Sequence, residues 1–240
     1  MRRASFLVSA LTVLVAAPAV AQLDQLLKEL DTLTRPATGA TGDVKIGAAL
    51  KEALQVGTEN AVKLTGRPDG YFTNQAIKIL MPERLRTLER GLRTVGYGSE
   101  VDQLVLSMNR AAERAAPSAR KIFWDAIGSM TIEDARRILG GTPTAATDYF
   151  KSKTSESLTL AFRPVVDQAM NEVGTTRQYN ELLGQAKAIP FLKTEDYDLD
   201  RYVIGKALDG LFHVVGEEER KIRTDPAARV TDLLKDVFGK

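Results

Sequence analysis

The chain has 240 residues, 44% of them hydrophobic and 27% charged, which is enough apolar material for a buried core and excludes a disordered chain. Its 33 basic and 31 acidic side chains nearly cancel, so no broad basic surface for nucleic acid is implied. The absence of cysteine excludes disulfides, thiol nucleophiles and zinc–thiolate sites.

The first stretch, MRRASFLVSALTVLVAAPAVAQ, has a basic start, an apolar run from Phe6 to Ala17 and small residues at Ala19 and Ala21. Those are the three parts of a secretory signal peptide, with cleavage expected after Ala21, and the run is shorter than the roughly 20 residues of a membrane span. Arg2 and Arg3 hint at twin-arginine export, but their spacing from Phe6-Leu7 is loose and the polar lead-in is missing. Removal of the leader takes both arginines, leaving 33 − 2 = 31 basic against 31 acidic groups. Without cysteine there is no lipid-attachment site, and no second apolar run is long enough to span. The expectation is a soluble periplasmic protein without a transmembrane segment.

Residues 22–43 read as a short helix, Leu23 to Leu33, and a flexible linker, TRPATGATGD. Residues 44–240 read as a single helical domain. Its first helix runs from about Val44 to Leu64, interrupted by Gly57 and stopped by the turn signal GRPDG. Ala76 to Met81 is too short for period to separate strand from helix, and is read as a helical turn because no strand partner is in view. Pro82 opens a helix ended by Gly96. From Ser99, a candidate cap, the apolar stripe Val101, Leu104, Val105, Met108, Ala111, Ala112, Ala115 defines the next helix. Pro117 begins another, expected to fold back as a hairpin, and Thr131 with Asp134 forms a capping box for a short helix to Leu139. The segment from Thr144 to Gly174 is helical, with Pro164 expected to kink or split it. A helix over Thr176 to Ala188, a central helix from about Leu199 to Arg223 that is apolar nearly all round, and a last helix after Asp225-Pro226 complete the chain. No alternating strand pattern or repeat is present. The fold expected is all-α, an irregular bundle of about ten helices.

SMNRAAERAAP (Ser107 to Pro117), TAATDYF (Thr144 to Phe150), KALDGLF (Lys206 to Phe212) and EEERKIRTDPAARVTDLLKDVFG (Glu217 to Gly239) occur in that order. Through them the chain resembles a bacterial exported family known as domain of unknown function 4197, over nearly all of the mature chain from about Val44. The resemblance implies a helical fold and an envelope location, and carries over no catalytic residue.

Asn109, Arg110, Glu113 and Arg114 lie within two helical turns, and Arg110 with Glu113 is an i, i+3 pair. Such a group either braces the structure or lines a groove in which an arginine fork holds an anion. Asp148, beside Tyr149, and Asp209 are the expected partners of this network, and Glu217 completes the candidate ligand-binding set. Glu217-Glu218-Glu219 is expected to form a solvated helix end, with Glu219 paired to Arg223. Asp196, Asp198 and Asp200 have the spacing of a calcium loop, but Arg201 and Ala207 stand where its glycine and glutamate belong, so helix capping is the expected use. His213, the single histidine, and the aromatics Trp124, Tyr71 and Phe72 are expected in the core. No G-x-S-x-G, metal-ligand set or phosphate loop is found, so no catalytic residue, metal or cofactor is assigned.

The composition and motifs favour a non-enzymatic periplasmic protein that binds an unknown protein partner or a small apolar or amphipathic ligand. The alternatives are a hydrolase or lyase using Arg110, Glu113, Asp148 and Glu217, and a structural interaction protein of the envelope.

Overall fold

A computed structural model describes residues 38–172, 179, 181, 184 and 198–224. Contacts divide the chain into two units, Met1–Asp43 and Val44–Lys240; of the first, only the helical residues 38–43 are described. The expected helices at 23–33 and after Asp225 lie outside the described residues, as does most of that at 176–188. Everything below concerns the second unit.

The described residues are helical and contain no strand. They form α1 (Thr38–Gly66), α2 (Arg86–Thr94), α3 (Gly98–Ala115), α4 (Ala119–Gly128), α5 (Ile132–Leu139), α6 (Ala145–Glu172) and α7 (Leu199–Thr224). A 3-10 turn at Ala116–Ser118 joins α3 to α4 without a break, so six helical bodies stand among the described residues rather than about ten. Two expected breaks are absent. Gly57 lies inside a continuous α1, where lack of a side chain lets α7 approach: a Cβ would stand 3.3 Å from Ile222 Cδ1. Pro164 lies inside a continuous α6. Its missing N–H would have met the carbonyl of Leu160, and both residues face water, while Leu158, Phe162 and Val166 hold the opposite face in the core.

Nor do α3 and α4 fold back as a hairpin. The 3-10 turn carries the chain onward, and both helices pack on α6. The largest helix contact is α6 on α7, and α3 seats against both. Phe123 of α4 meets Phe150 of α6 and Phe212 of α7 edge-on, with centroids 5.2 and 6.1 Å apart. Each such pair contributes roughly 0.5–1.5 kcal/mol beyond its buried area. The alanines 111, 112, 115 and 116 are fully buried, which allows the close backbone approach that their size implies.

The central position of α7 is as expected, but it is not apolar all round. Lys206, Asp209, His213 and Arg220 are exposed, with half-buried Glu217 between them, on one stripe at helical spacing. His213 is therefore a surface residue, 3.5 Å from Glu217, and Trp124 is half exposed on α4. Tyr71, by contrast, is fully buried.

Several ends follow the sequence rules. Thr131 and Asp134 exchange hydrogen bonds as a capping box for α5. Gly96, with φ of 99°, stops α2 in a conformation that a side chain would oppose. Asp198 caps α7 by accepting from Arg201 N at 2.9 Å. Ser99 does not cap α3; its hydroxyl turns to Glu100.

Candidate functional site

Between α1 and α2 the chain runs for residues 67–82 without a helix, a long connection for a helical protein. Asp69 adopts a left-handed backbone (φ 64°) in the GRPDG turn, a conformation that asparagine and aspartate tolerate better than most residues. Gly70 is required beside it, since a Cβ there would stand 2.4 Å from Leu64 O. The helical turn expected at Ala76 to Met81 is confined to residues 75–77; Lys78 to Met81 is an irregular strap.

Buried polar side chains of α3 hold this segment. Glu113 accepts from Tyr71 N (3.1 Å) and Phe72 N (3.2 Å), while its other oxygen binds Arg110 Nη1 at 2.6 Å. Arg110 bridges back to Asp69 at 2.7 Å. Asn109 donates to Ile79 O (2.8 Å) and Val105 O (2.7 Å) and accepts from Ile79 N (2.9 Å), so one side chain supplies the pairing a neighbouring strand would give. Buried backbone groups need such partners, and here Glu113 and Asn109 provide them. The hydrogen bond from Arg110 to Glu113 holds the guanidinium even more firmly charged than usual. Burial, with Glu113 nearby, pushes the Tyr71 phenol up, so it stays a neutral donor to Ala207 O at 2.6 Å.

Asn109, Arg110 and Glu113 thus act together, but their partners are Asp69 and the backbone of 71–79, not Asp148 or Asp209. Arg114 points elsewhere and pairs at the surface with Glu172 at 2.7 Å. Asp148 and Tyr149 border a shallow depression of about 490 Å³ near Arg137 and Lys153. Tyr149 donates to Ala126 O at 3.3 Å, and burial raises its phenol pKa. Asp209 and Glu217 lie on the polar stripe of α7, Asp209 paired with Lys206 at 3.3 Å. Among the described residues no hydrogen bond or ion pair joins Arg110 and Glu113 to Asp148 or Glu217.

A second carboxylate, Glu219, expected at a solvated helix end, is buried. Glu219 sits inside, accepting from Ala146 N and Thr147 N at 2.9 Å each and from Thr147 Oγ1 at 2.8 Å. It thereby caps α6 from a distance and meets the positive end of that helix. Arg223 pairs with it at 2.9 Å, as the i, i+4 spacing implied, and also donates to Ile138 O at the end of α5. Glu218, also buried, accepts from Asn60 of α1 at 3.1 Å. Asp69, Tyr71 and the strap backbone were likewise missed; the GRPDG signal marked their turn but not their partner.

The strap and α7 enclose a groove of about 440 Å³. Ile77, Leu80 and Met81 supply an apolar side, with Leu80 more than half exposed. Lys78, Tyr202, Lys206, Asp209 and His213 supply polar groups, and Tyr202 Oη ties the walls together by donating to Leu80 O at 2.9 Å. Lys78 lies over the Phe72 ring at 4.0 Å with no carboxylate partner among the described residues. No group of His, Asp and Glu in metal-binding geometry exists among the described residues.

An irregular all-helical unit, braced among its described residues by buried carboxylates and opening to clefts, defines the class as an all-α protein. The family described as "Protein of unknown function (DUF4197)" matches residues 40–239, and the chain belongs to it. Nothing matches among curated proteins or solved structures. No helix among the described residues is long and apolar enough to cross a membrane.

Proposed function

We propose that this is an exported, non-catalytic binding protein of the envelope that takes an amphipathic partner or ligand in the groove between the 67–82 strap and α7. The supporting observation is the fixing of a long irregular segment. Asn109, Glu113 and Tyr71 hold its buried side, leaving Lys78 and exposed Leu80 on a preformed rim. Long loops held rigidly on a scaffold are common carriers of binding, and a preformed surface lowers the ordering cost of association. The apolar wall with an unpaired lysine suits a ligand that is apolar along its length and anionic at one point. Asp209 borders this groove; Asn109, Arg110 and Glu113 support it from behind. Export rests on the leader sequence, residues 1–21.

The hydrolase or lyase alternative requires Arg110 and Glu113 to meet substrate, whereas Glu113 is buried and directed at backbone. The test is native mass spectrometry with lipid extraction on the chain from Gln22, purified from its own periplasm, beside a Leu80→Glu, Lys78→Glu variant. A bound amphiphile or partner on the parent chain that is lost from an equally stable variant supports the reading. Equal occupancy of both overturns it.

A further inference from the structure

The groove uses one face of the first half of α7. On another face, α6 and α7 enclose a separate cleft of about 660 Å³, within the range of small-molecule sites. Arg163 and Asp167 come from α6, Asp198, Asp200 and Arg201 from the start of α7, and Ile204 with Leu208 forms an apolar floor. Five opposite charges border one cleft, yet among the described residues neither arginine makes an ion pair or side-chain hydrogen bond. Exposed arginines elsewhere on this protein divide: Arg93 pairs with Asp102 and Arg120 with Glu59, whereas Arg67, Arg84, Arg90 and Arg220 make no ion pair among the described residues, so it is the shared cleft with three carboxylates that sets Arg163 and Arg201 apart.

The acids are also incompletely answered. Asp198 gives one oxygen to Arg201 N as the α7 cap. Asp200 is half-buried, and burial with Asp167 and Asp198 nearby drives its carboxyl up. A simple anion would meet three carboxylates, and a metal ion two guanidiniums. A molecule carrying both signs satisfies the two sets at once, its anion accepting charge-assisted hydrogen bonds from the guanidiniums and its cation meeting the carboxylates as an ion pair, with hydrogen bonds added where it is a primary ammonium.

We propose that the α6–α7 cleft binds a small zwitterion, its ammonium against Asp200 and Asp167, its carboxylate or phosphate against Arg163 and Arg201, and its apolar part over Ile204 and Leu208. Free amino acids and phosphocholine-type lipid headgroups both carry this chemistry. The site does not depend on the strap groove.

Isothermal titration of the chain from Gln22 with L-leucine, isopentylamine, 4-methylpentanoate and phosphocholine tests it, with methyl NMR shifts of Ile204 and Leu208 locating the binding. The expected result is that leucine or phosphocholine binds at least about tenfold more tightly than either single-charge analogue, since each added charge-assisted contact is worth about that factor. Leucine alone identifies an amino-acid site, phosphocholine alone a headgroup site. Asp200→Asn should remove the advantage of leucine over 4-methylpentanoate, and Arg163→Ala with Arg201→Ala its advantage over isopentylamine. Lys78→Glu in the strap groove should change neither. Zwitterions that bind no better than both analogues, or that leave the Ile204 and Leu208 methyls unmoved, overturn the proposal.

Discussion

The ring of Tyr71 lies so close over Gly210 that a Cβ on residue 210 would stand 2.6 Å from Tyr71 Cε1 and 3.0 Å from Ile77 Cβ. Glycine in mid-helix costs about 1 kcal/mol relative to alanine, so α7 gives up helical stability at this point for a close approach. The approach lets the phenol reach Ala207 O and seats the strap. Gly210→Ala should therefore lose stability despite its better propensity, because overpacking a rigid buried ring costs about 1–3 kcal/mol. Gly205→Ala, one turn away with nothing within 4 Å of its Cβ, should gain about 0.5–1 kcal/mol. Urea unfolding of both variants checks this. In a Tyr71→Ala background the Gly210→Ala penalty should shrink, as expected for a pair in contact.

Glu113 satisfies two buried N–H groups and one arginine. Glu113→Ala strands the Tyr71 and Phe72 amides and should cost about 3 kcal/mol. Glu113→Gln keeps one acceptor oxygen and should cost less. The strap amides of 71 and 72 should exchange with solvent much faster in the alanine variant, while those of α6 change only with global stability. Uniform loss of protection would contradict a local bracing role.

Most of the helical pattern was legible in the sequence because the rules involved are local. The Thr131 box, the Gly96 stop and the Asp198 cap each depend on residues within four positions. The four-residue polar cluster was also visible, since three of its members share one face of α3. Its partners were not, because Asp69 and Ile79 lie 41 and 30 positions away, and Ile79 is reached through backbone groups that leave no side-chain signature. Glu219 failed for the same reason: its match with Arg223 is local, but burial follows from the α6 N-terminus, 73 positions away. Pro164 does not break α6 because tertiary packing on the opposite face overrides propensity, and Gly57 does not break α1 because it lies on the packed face itself, where α7 approaches. His213 and Trp124 show the converse, since hydrophobic neighbours in sequence do not fix which side of a helix a residue occupies.

Arg114 and Glu219 belong to ion pairs of similar length and should differ sharply on substitution. Arg114 and Glu172 are each about half exposed, at 51% and 50%, so Arg114→Ala should change stability by less than about 1 kcal/mol. Glu219→Ala leaves two N–H groups of α6 without an acceptor and removes a buried ion pair with Arg223, and should cost about 3–5 kcal/mol. Thermal unfolding of the two variants side by side makes the comparison. Equal effects would show that α6 does not depend on its remote cap.

Asp200 gives a prediction with a sign opposite to that of most surface carboxylates. Its carboxyl is driven above the usual aspartate range by burial and by Asp167 and Asp198. The native state therefore holds this proton more tightly than the unfolded chain does. The stabilising contribution is fully present below the unfolded-state pKa and is lost as pH rises through the raised native value. A negative charge in the first turn of α7 is favoured by the helix dipole, about 0.3–1 kcal/mol at an exposed position, and burial beside two like charges outweighs it. Asp200→Asn removes the titration. It should raise the melting temperature at neutral pH and leave it unchanged or slightly lowered at pH 3, where the aspartate is protonated in both states. High salt should narrow the neutral-pH difference, since part of the effect is repulsion between partly exposed charges. A variant that is less stable than the parent at neutral pH and equal to it in acid would mean that Asp200 is held charged by a cation, and would remove the unanswered carboxylate from the α6–α7 cleft.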